Sequence, residues 1–143
     1  MSGTSSSPNP RRFAREDPTQ LDFTIDHLGT LRNAVASAAE SASLQAERAA
    51  DLVLAVNELA TNSICHGGGR GTLRMWREGG TLLCEVHDRG HIPEGLFHHD
   101  AERPDPDAMS GRGLWLVDHL CDAVHVVSSP EAGSTVRVHM RLP

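Results

Sequence analysis

The strongest periodic signal in the sequence is one long amphipathic helix, which begins near Ala46 and ends at the glycines that start with Gly67. Apolar side chains recur at intervals of three and four residues and form one arc of a helical wheel, as a core-facing stripe does. Three consecutive glycines end the helix, because each glycine inside a helix costs about 1 kcal/mol relative to alanine. The arc consists of Ala49, Leu52, Val53, Val56, Leu59, Ala60, Ser63 and Ile64.

Shorter patterns on both sides of this helix predict the other elements. Alternating apolar and polar residues predict strands, and apolar residues at helical spacing predict two further helices. Glu78-Gly79-Gly80 is a tight hairpin signal between two of the strands. The predicted order is strand 19–25, helix 28–41, helix 46–66, strands 71–77 and 81–87, helix 111–121, and strands 123–128 and 134–142.

This order mixes hairpins with helices and therefore predicts an α+β fold. We expect a two-layer α/β sandwich, with the helices packed on one face of a mixed, mainly antiparallel sheet. Residues 1–18 are rich in Ser, Pro and Arg and lack periodicity, so we expect a disordered N-terminal leader. Residues 19–143 then form a single domain, which at this size buries roughly 68–70% of its unfolded surface.

Composition excludes several classes of function. The formal net charge is −6, aromatic residues make up 3% of the chain and tyrosine is absent, which argues against direct binding of nucleic acid. No apolar run approaches the roughly 20 residues that span a bilayer, and we expect a cytoplasmic protein without membrane contact. Cys65, Cys84 and Cys121 are widely spaced and are expected to be reduced core or near-core residues.

The longest stretch without periodicity covers residues 88–110 and contains three prolines and several acidic residues. A loop of this length inside a small domain is usually functional or disordered. Its composition is that of a mobile lid.

Four short motifs follow one another along the chain. Taken singly, each is explained by an ordinary structural role: a solvent-exposed helix face, a turn or a helix cap. Together they could build a nucleotide pocket. An Asp at a strand end can accept a hydrogen bond from the exocyclic amine of adenine, and amides at a helix N-terminus bind phosphate. An Asn oxygen can complete a Mg²⁺ shell, and a Glu can orient a hydroxyl for attack on the γ-phosphate. The motifs are Glu58-x-x-x-Asn62, Asp88-Arg89-Gly90, Gly111-Arg112-Gly113 and Gly133-Ser134-Thr135.

This set of motifs resembles the GHKL (HATPase-type) ATP-binding family, which includes histidine kinases, a class of chaperones and gyrase-type topoisomerases. Within it, the chain is most similar to small anti-sigma-factor serine/threonine kinases and related stand-alone ATP-binding regulatory proteins of actinobacteria. The resemblance covers residues 20–142: NELATNSICHG resembles the N-box, DRG the first glycine box, GRGLWLVDHLCD the second and GST the last.

The resemblance implies a role for each matched residue. Glu58 would be the general base or water-orienting carboxylate, and Asn62 the ligand of Mg²⁺. Asp88 would read the adenine amine, with Thr135 assisting through its hydroxyl or a bridging water. His66, at the end of the N-box, would approach phosphate. The other cofactor-binding residues are Gly90, which lets the backbone pass close to the base, and Gly111, Arg112, Gly113 and Leu114 at the lid end and the start of the following helix.

One departure from the family pattern lies in the first glycine box, which often continues as Asp-x-Gly-x-Gly. Here Ile92 and Pro93 stand in place of the second glycine. Proline stiffens the backbone and removes an N–H donor. The adenine contact could survive this change, whereas lid closure and phosphate contacts at this point are affected.

For function, the resemblance implies an ATP- and Mg²⁺-dependent protein serine/threonine kinase of the anti-sigma-factor type, active in transcription regulation. Its partners would be an anti-anti-sigma (STAS-type) substrate protein and a sigma factor, and homodimer formation is a further expectation. The alternative is a non-catalytic nucleotide-sensing or partner-binding module; Glu58 argues against it and Ile92-Pro93 argues for it. A histidine kinase needs a helical segment with a phospho-acceptor histidine; few residues precede the first strand here, so we do not expect this chain to be one unless it is a fragment of a longer protein.

A separate hypothesis concerns the histidines between residues 87 and 99. His87, His91, His98 and His99, with Asp88 and Asp100 adjacent, could hold Zn²⁺ or Ni²⁺. Their spacing matches no closed structural zinc pattern, so the alternative is a solvated histidine-rich loop.

Overall fold

The architecture is known from a computed structural model, which describes residues 18–92 and 109–143. Within these ranges the chain forms five strands, three α-helices and one short 3-10 helix. The strands are β1 (Thr19–Phe23), β2 (Gly71–Glu78), β3 (Thr81–Asp88), β4 (Ala123–Ser129) and β5 (Gly133–Arg141). The helices are the 3-10 helix Ile25–His27, α1 (Leu28–Ser41), α2 (Ala46–His66) and α3 (Met109–Leu120).

The first strand ends earlier than its alternating pattern predicts. β1 stops at Phe23, and Ile25, expected in the strand, begins the 3-10 helix. The reason is a local cap: the backbone N–H of Thr24 donates to Nδ1 of His27 at 3.0 Å, and the N–H of His27 donates back to the carbonyl of Thr24. These bonds turn the chain out of the sheet.

The predicted α+β sandwich is confirmed, and the sheet has the order β1-β2-β3-β5-β4. Every pairing among the described strands is antiparallel. The predicted mixed sheet, which would contain a parallel pair, is therefore not observed among these strands. Short connections join β2 to β3 and β4 to β5, and connections of two or three residues permit only antiparallel pairing. β3 and β5, the two strands that carry pocket motifs, are direct neighbours.

The helices form one layer with α2 in its middle, between α1 and α3 and against the sheet. Side chains of α2, such as Leu52 and Val56, are fully buried there. Alternate positions of the strands face this layer, as expected for a sheet with one covered face. Fully buried residues from the other elements are Leu31 and Val35 in α1, Val117 in α3, Leu73 in β2, Cys84 in β3 and Val138 and Met140 in β5.

The cysteines follow the prediction at two positions of three. Cys84 and Cys121 are buried and free, whereas Cys65, expected in or near the core, is exposed near the end of α2. Burial raises the pKa of the Cys121 thiol to about 12 and raises that of Cys84 as well. Both buried thiols therefore stay protonated at neutral pH.

No helix in the described ranges combines the length and the hydrophobicity needed to cross a bilayer.

Asp122, in the turn between α3 and β4, connects three elements. Its Oδ2 accepts a hydrogen bond of 2.7 Å from the backbone N–H of Arg141 in β5, and another from the guanidinium of Arg48 in α2. Burial acts to raise the pKa of Asp122, but these donors outweigh burial and hold the pKa below its ordinary value. The ionised carboxylate therefore stabilises the folded state at neutral pH.

Replacing Asp122 by Asn should lower the free energy of unfolding at neutral pH by about 1 kcal/mol, a value kept small because the ion pair is partly exposed and screened by solvent. The stabilisation is present above the ordinary carboxyl pKa of 3.8 and is lost as the pH falls through the lower pKa of the folded state. Urea denaturation should therefore separate Asp122→Asn from the wild type at neutral pH and not in strong acid. The exposed Asp26 provides the matched control, Asp26→Asn. A difference between Asp122→Asn and the wild type that is the same at both pH values would contradict the assignment.

Candidate functional site

A pocket of about 500 Å³, part of it open to solvent, lies between the C-terminal half of α2, the end of β3 and the start of β5. The pocket is lined by Leu59, Asn62, Ser63, His66, Val86, Asp88, Gly90, His91, Ile92, Leu114, Ser134 and Val136.

The carboxylate of Asp88 is held in one orientation at the wall of this pocket. The hydroxyl of Ser63 in α2 donates to Oδ2 at 2.6 Å. The backbone N–H of Gly90 donates to Oδ1 at 2.7 Å. A carboxylate offers about four lone-pair positions, so both oxygens retain capacity for a further donor. Asp88 can therefore accept a hydrogen bond from an amine placed in the pocket.

Two glycines allow the end of α2 to approach this carboxylate closely. A Cβ atom on Gly67 would lie 2.3 Å from Cγ of Asp88, and one on Gly90 would lie 2.7 Å from the carbonyl oxygen of His66. Real Cβ atoms do not come this close to other heavy atoms. Packing within the protein therefore requires a glycine at position 90, independently of the predicted contact between Gly90 and a nucleotide base.

Serine hydroxyls connect the segment after β3 to the hairpin of β4 and β5. Ser134 Oγ donates to the carbonyl of Gly90 at 2.7 Å, and lies 2.8 Å from Ser128 Oγ. Ser128 Oγ in turn accepts a hydrogen bond of 2.8 Å from the backbone N–H of Ile92. Ile92, the departure from the family pattern, thus lines the pocket with its backbone fixed; Pro93 lies outside the described residues.

The polar face of α2 reaches the pocket at two of its three predicted positions. Asn62 and His66, one turn apart, both line it. Glu58, one turn earlier and half-buried, is not among the lining residues. Asn57 faces α1 instead, where its amide oxygen accepts a hydrogen bond of 3.1 Å from Arg32.

Helix α3 begins two residues earlier than predicted, at Met109. Gly111, Arg112 and Gly113 therefore lie in the first turns of the helix, and the expectation of a Gly-x-Gly turn in front of it is wrong. The helix continues through both glycines at a cost of about 1 kcal/mol each. Leu114, expected to begin the helix, lies inside it, is buried and lines the pocket.

Thr135 is placed on the wrong side of the sheet for its predicted contact with adenine. Its hydroxyl lies 2.8 Å from Nδ1 of His87, and it is not among the lining residues. Neighbouring residues of a strand point to opposite faces, so the hydroxyl at the pocket belongs to Ser134. The alternation Ser134, Val136, Val138, Met140 was the sequence signal for this assignment.

Ser63 is the other polar residue at the pocket that the sequence interpretation did not single out. It falls on the apolar arc of α2 and is 1% exposed. A lone hydroxyl on an otherwise apolar stripe was the available signal, because buried polar groups need a partner. That partner, Asp88, lies 25 residues further along the chain.

The histidine metal hypothesis receives no support from the described residues, among which no group of three or more His, Cys, Asp or Glu side chains is arranged to hold a metal. His87 contacts Thr135, and His91 contacts Ser128 at 3.2 Å. His98, His99 and Asp100 lie outside the described residues.

Comparison with known families adds to this geometry. The family model of the histidine kinase-like ATPase domain matches residues 21–140. The chain belongs to this family. Membership implies that this chain binds ATP, and it agrees with the GHKL resemblance of the motifs. No functionally curated protein matches the sequence significantly.

Among solved structures, the chain is similar to one described as the RsbU and RsbW domains of Rv1364c from Mycobacterium tuberculosis. The TM-score is 0.65 and the sequence identity 20%; the match covers 89% of this chain and 33% of the other. The chain thus spans about a third of the length of that structure. At this identity the similarity establishes the fold.

Replacing Gly67 by Ala should lower the affinity for ATP about tenfold, because a lost hydrogen bond to a charged group is worth about 1.5–3 kcal/mol and the new Cβ displaces the Asp88 carboxylate. The φ of Gly67 is −112°, so its backbone accepts alanine. Gly68→Ala is the control, because it strains the same turn (φ +95°) and meets no atom within 4 Å. Isothermal calorimetry with ATP measures both variants. Wild-type affinity of Gly67→Ala would contradict the role given to Asp88.

Proposed function

We propose that this chain is an ATP-dependent protein serine/threonine kinase of the anti-sigma-factor type. It transfers the γ-phosphate of ATP to a serine or threonine of an anti-anti-sigma partner and binds a sigma factor. The observation that carries the proposal is the fixed carboxylate of Asp88 in an otherwise largely apolar pocket, on the same wall as Asn62 and His66 of α2.

In this proposal the adenine ring enters the pocket at Asp88. The carboxylate accepts a hydrogen bond from the 6-amino group, while apolar side chains such as Val86, Val136 and Ile92 contact the ring. A carboxylate held by two donors cannot turn away without losing both bonds, so it favours an amine at this position and rejects an oxygen.

The phosphates extend along α2 from His66 towards Asn62. Magnesium prefers oxygen ligands and usually keeps several waters beside substrate phosphates and one or two protein groups. The amide oxygen of Asn62 fits this requirement, since Asn62 lines the pocket. The first turn of α3, which begins at Met109 and includes Gly111, has backbone N–H groups without helical partners, which suit phosphate oxygens. Arg112 and Gly113 follow directly and are proposed to lie beside the phosphates.

Glu58 is proposed as the general base. It lies one helical turn from Asn62, and residues four apart on a helix have Cβ atoms about 5–6 Å apart. Glu58 would accept the proton of the acceptor hydroxyl as the hydroxyl oxygen bonds to the γ-phosphorus and ADP leaves. Mg²⁺ bound at Asn62 would neutralise charge on the phosphates.

The partners are proposed from the family and from the solved structure that contains an RsbW domain. The similarity to the structure with RsbU and RsbW domains supports a regulatory role in a sigma-factor pathway. A cytoplasmic location and action through protein contacts are part of the proposal. Homodimer formation is part of the same proposal.

The second candidate is a non-catalytic nucleotide-sensing or partner-binding module. Two observations favour it: Glu58 is not among the residues that line the pocket, and Ile92-Pro93 stand where related chains often have a glycine. Phosphate transfer separates the two candidates.

Glu58→Gln should reduce phosphate transfer to a STAS-type substrate about 10²- to 10⁴-fold, the usual contribution of a general base, and leave the affinity for ATP unchanged. Transfer is measured with γ-labelled ATP in single-turnover reactions, and affinity by calorimetry. Glu47→Gln, in the first turn of the same helix, is the matched control and should transfer normally. Wild-type transfer by Glu58→Gln would remove Glu58 as the base. ATP binding by the wild type without any transfer would favour the second candidate.

Asn62→Ala should bind ATP equally well with and without Mg²⁺, whereas wild-type binding should tighten when Mg²⁺ is added. Calorimetric titration in Mg²⁺ and in a chelator measures this. A Mg²⁺ effect that persists in Asn62→Ala would place the metal elsewhere.

A further inference from the structure

A second pocket lies at the end of the sheet where β2 begins and β3 ends. It is larger than the first, about 920 Å³ including space open to solvent, and its lining includes Arg70, Arg89, His27 and His87 together with Asp22 and Asp88. We propose that this second pocket binds a phosphate monoester group, either free or carried by a phosphorylated side chain. The inference does not depend on the proposed kinase activity.

The strand register brings the two arginines together. Thr72 of β2 pairs with His87 of β3 as the last pair of that ladder, and Arg70 and Arg89 each lie two residues beyond it, just outside the strands and at the same pocket. Within residues 18–92 and 109–143 neither guanidinium forms an ion pair or a hydrogen bond. As far as the described residues go, both guanidiniums have N–H groups available to an external anion.

The acidic residues of the second pocket are already engaged by other groups. Oδ1 of Asp22 accepts a hydrogen bond of 2.8 Å from the hydroxyl of Thr72. Asp88 contributes to both pockets, but its two oxygens accept from Ser63 and Gly90. Both carboxylates keep their charge and offset that of the two guanidiniums, so what this pocket offers an anion among the described residues is the unpaired N–H donors of Arg70 and Arg89, not a net positive charge.

The histidines add donors of the kind that phosphate needs. Nδ1 of His27 accepts from the backbone N–H of Thr24, so the neutral ring carries its proton on Nε2, where it can donate. Nδ1 of His87 is engaged with Thr135 at 2.8 Å. Two guanidinium forks beside imidazoles match the three terminal oxygens of a phosphate monoester better than the two of a carboxylate.

Calorimetry on the full chain tests the proposal with three probes: inorganic phosphate, a phosphoserine peptide and the same peptide unphosphorylated. Phosphate and phosphopeptide should bind, and each of Arg70→Gln and Arg89→Gln should weaken binding about tenfold, as expected for one charge-assisted hydrogen bond. Arg141→Gln, at the opposite end of β5, should leave binding unchanged. In the wild type, the NMR resonances of the His27 and His87 rings should shift with phosphate. Tighter binding of the phosphopeptide than of phosphate identifies a protein-borne group; equal binding identifies free phosphate.

Three results would overturn the inference. One is the absence of phosphate and phosphopeptide binding at millimolar concentration. Another is binding that Asn62→Ala removes and the arginine variants retain, which would locate the phosphate in the first pocket. The third is equal binding of acetate or of the unphosphorylated peptide, which would exclude recognition of phosphate.

Discussion

The carboxylate of Asp88 joins the helix layer to the sheet at the candidate site. α2 reaches it through the hydroxyl of Ser63, and the segment after β3 reaches it through the N–H of Gly90. Ser134 of β5 then holds the carbonyl of Gly90. Hydrogen bonds to a charged group are worth about 1.5–3 kcal/mol each, so this chain of contacts fixes both the fold and the group that would read a ligand.

A rigid acceptor also explains why the surrounding backbone is so tightly constrained. Gly67 and Gly90 have no room for a Cβ atom, because the end of α2 and the segment after β3 are in contact around the carboxylate. A site with a fixed acceptor discriminates between ligands that place a hydrogen-bond donor opposite it and ligands that place an acceptor there. Arg70 and Arg89, at the end of the sheet beyond Asp88, form no ion pair in the described part of the chain.

Much of the fold was predictable because it rests on periodicity. The apolar arc of α2 and the hairpin signals around β2, β3, β4 and β5 each specify a local structure, and the short connections impose antiparallel pairing. The strand order was not predictable, since β5 lies between β3 and β4 through contacts distant in sequence. Two predicted element boundaries were wrong. Capping at Thr24 ends the first strand early, and the third helix continues through Gly111 where the glycines predicted a turn.

The candidate site was predictable where its residues share one element. Asn62 and His66 reach the pocket because residues four apart lie on one helix face. The placement of Thr135 at the pocket was wrong because neighbouring residues of a strand point to opposite faces of the sheet. Ser134, one residue earlier, lines the pocket instead. The contact of Ser63 with Asp88, and the position of Arg70 and Arg89 at one pocket, depend on contacts between elements, which sequence spacing does not reveal.

The most direct test of the account is the choice between ATP and inosine triphosphate, which carries an oxygen in place of the 6-amino group. Competition calorimetry should find ATP bound at least about tenfold more tightly, because the fixed carboxylate of Asp88 accepts from an amine and repels an oxygen. Equal affinity for the two nucleotides would contradict the central claim that Asp88 reads the base.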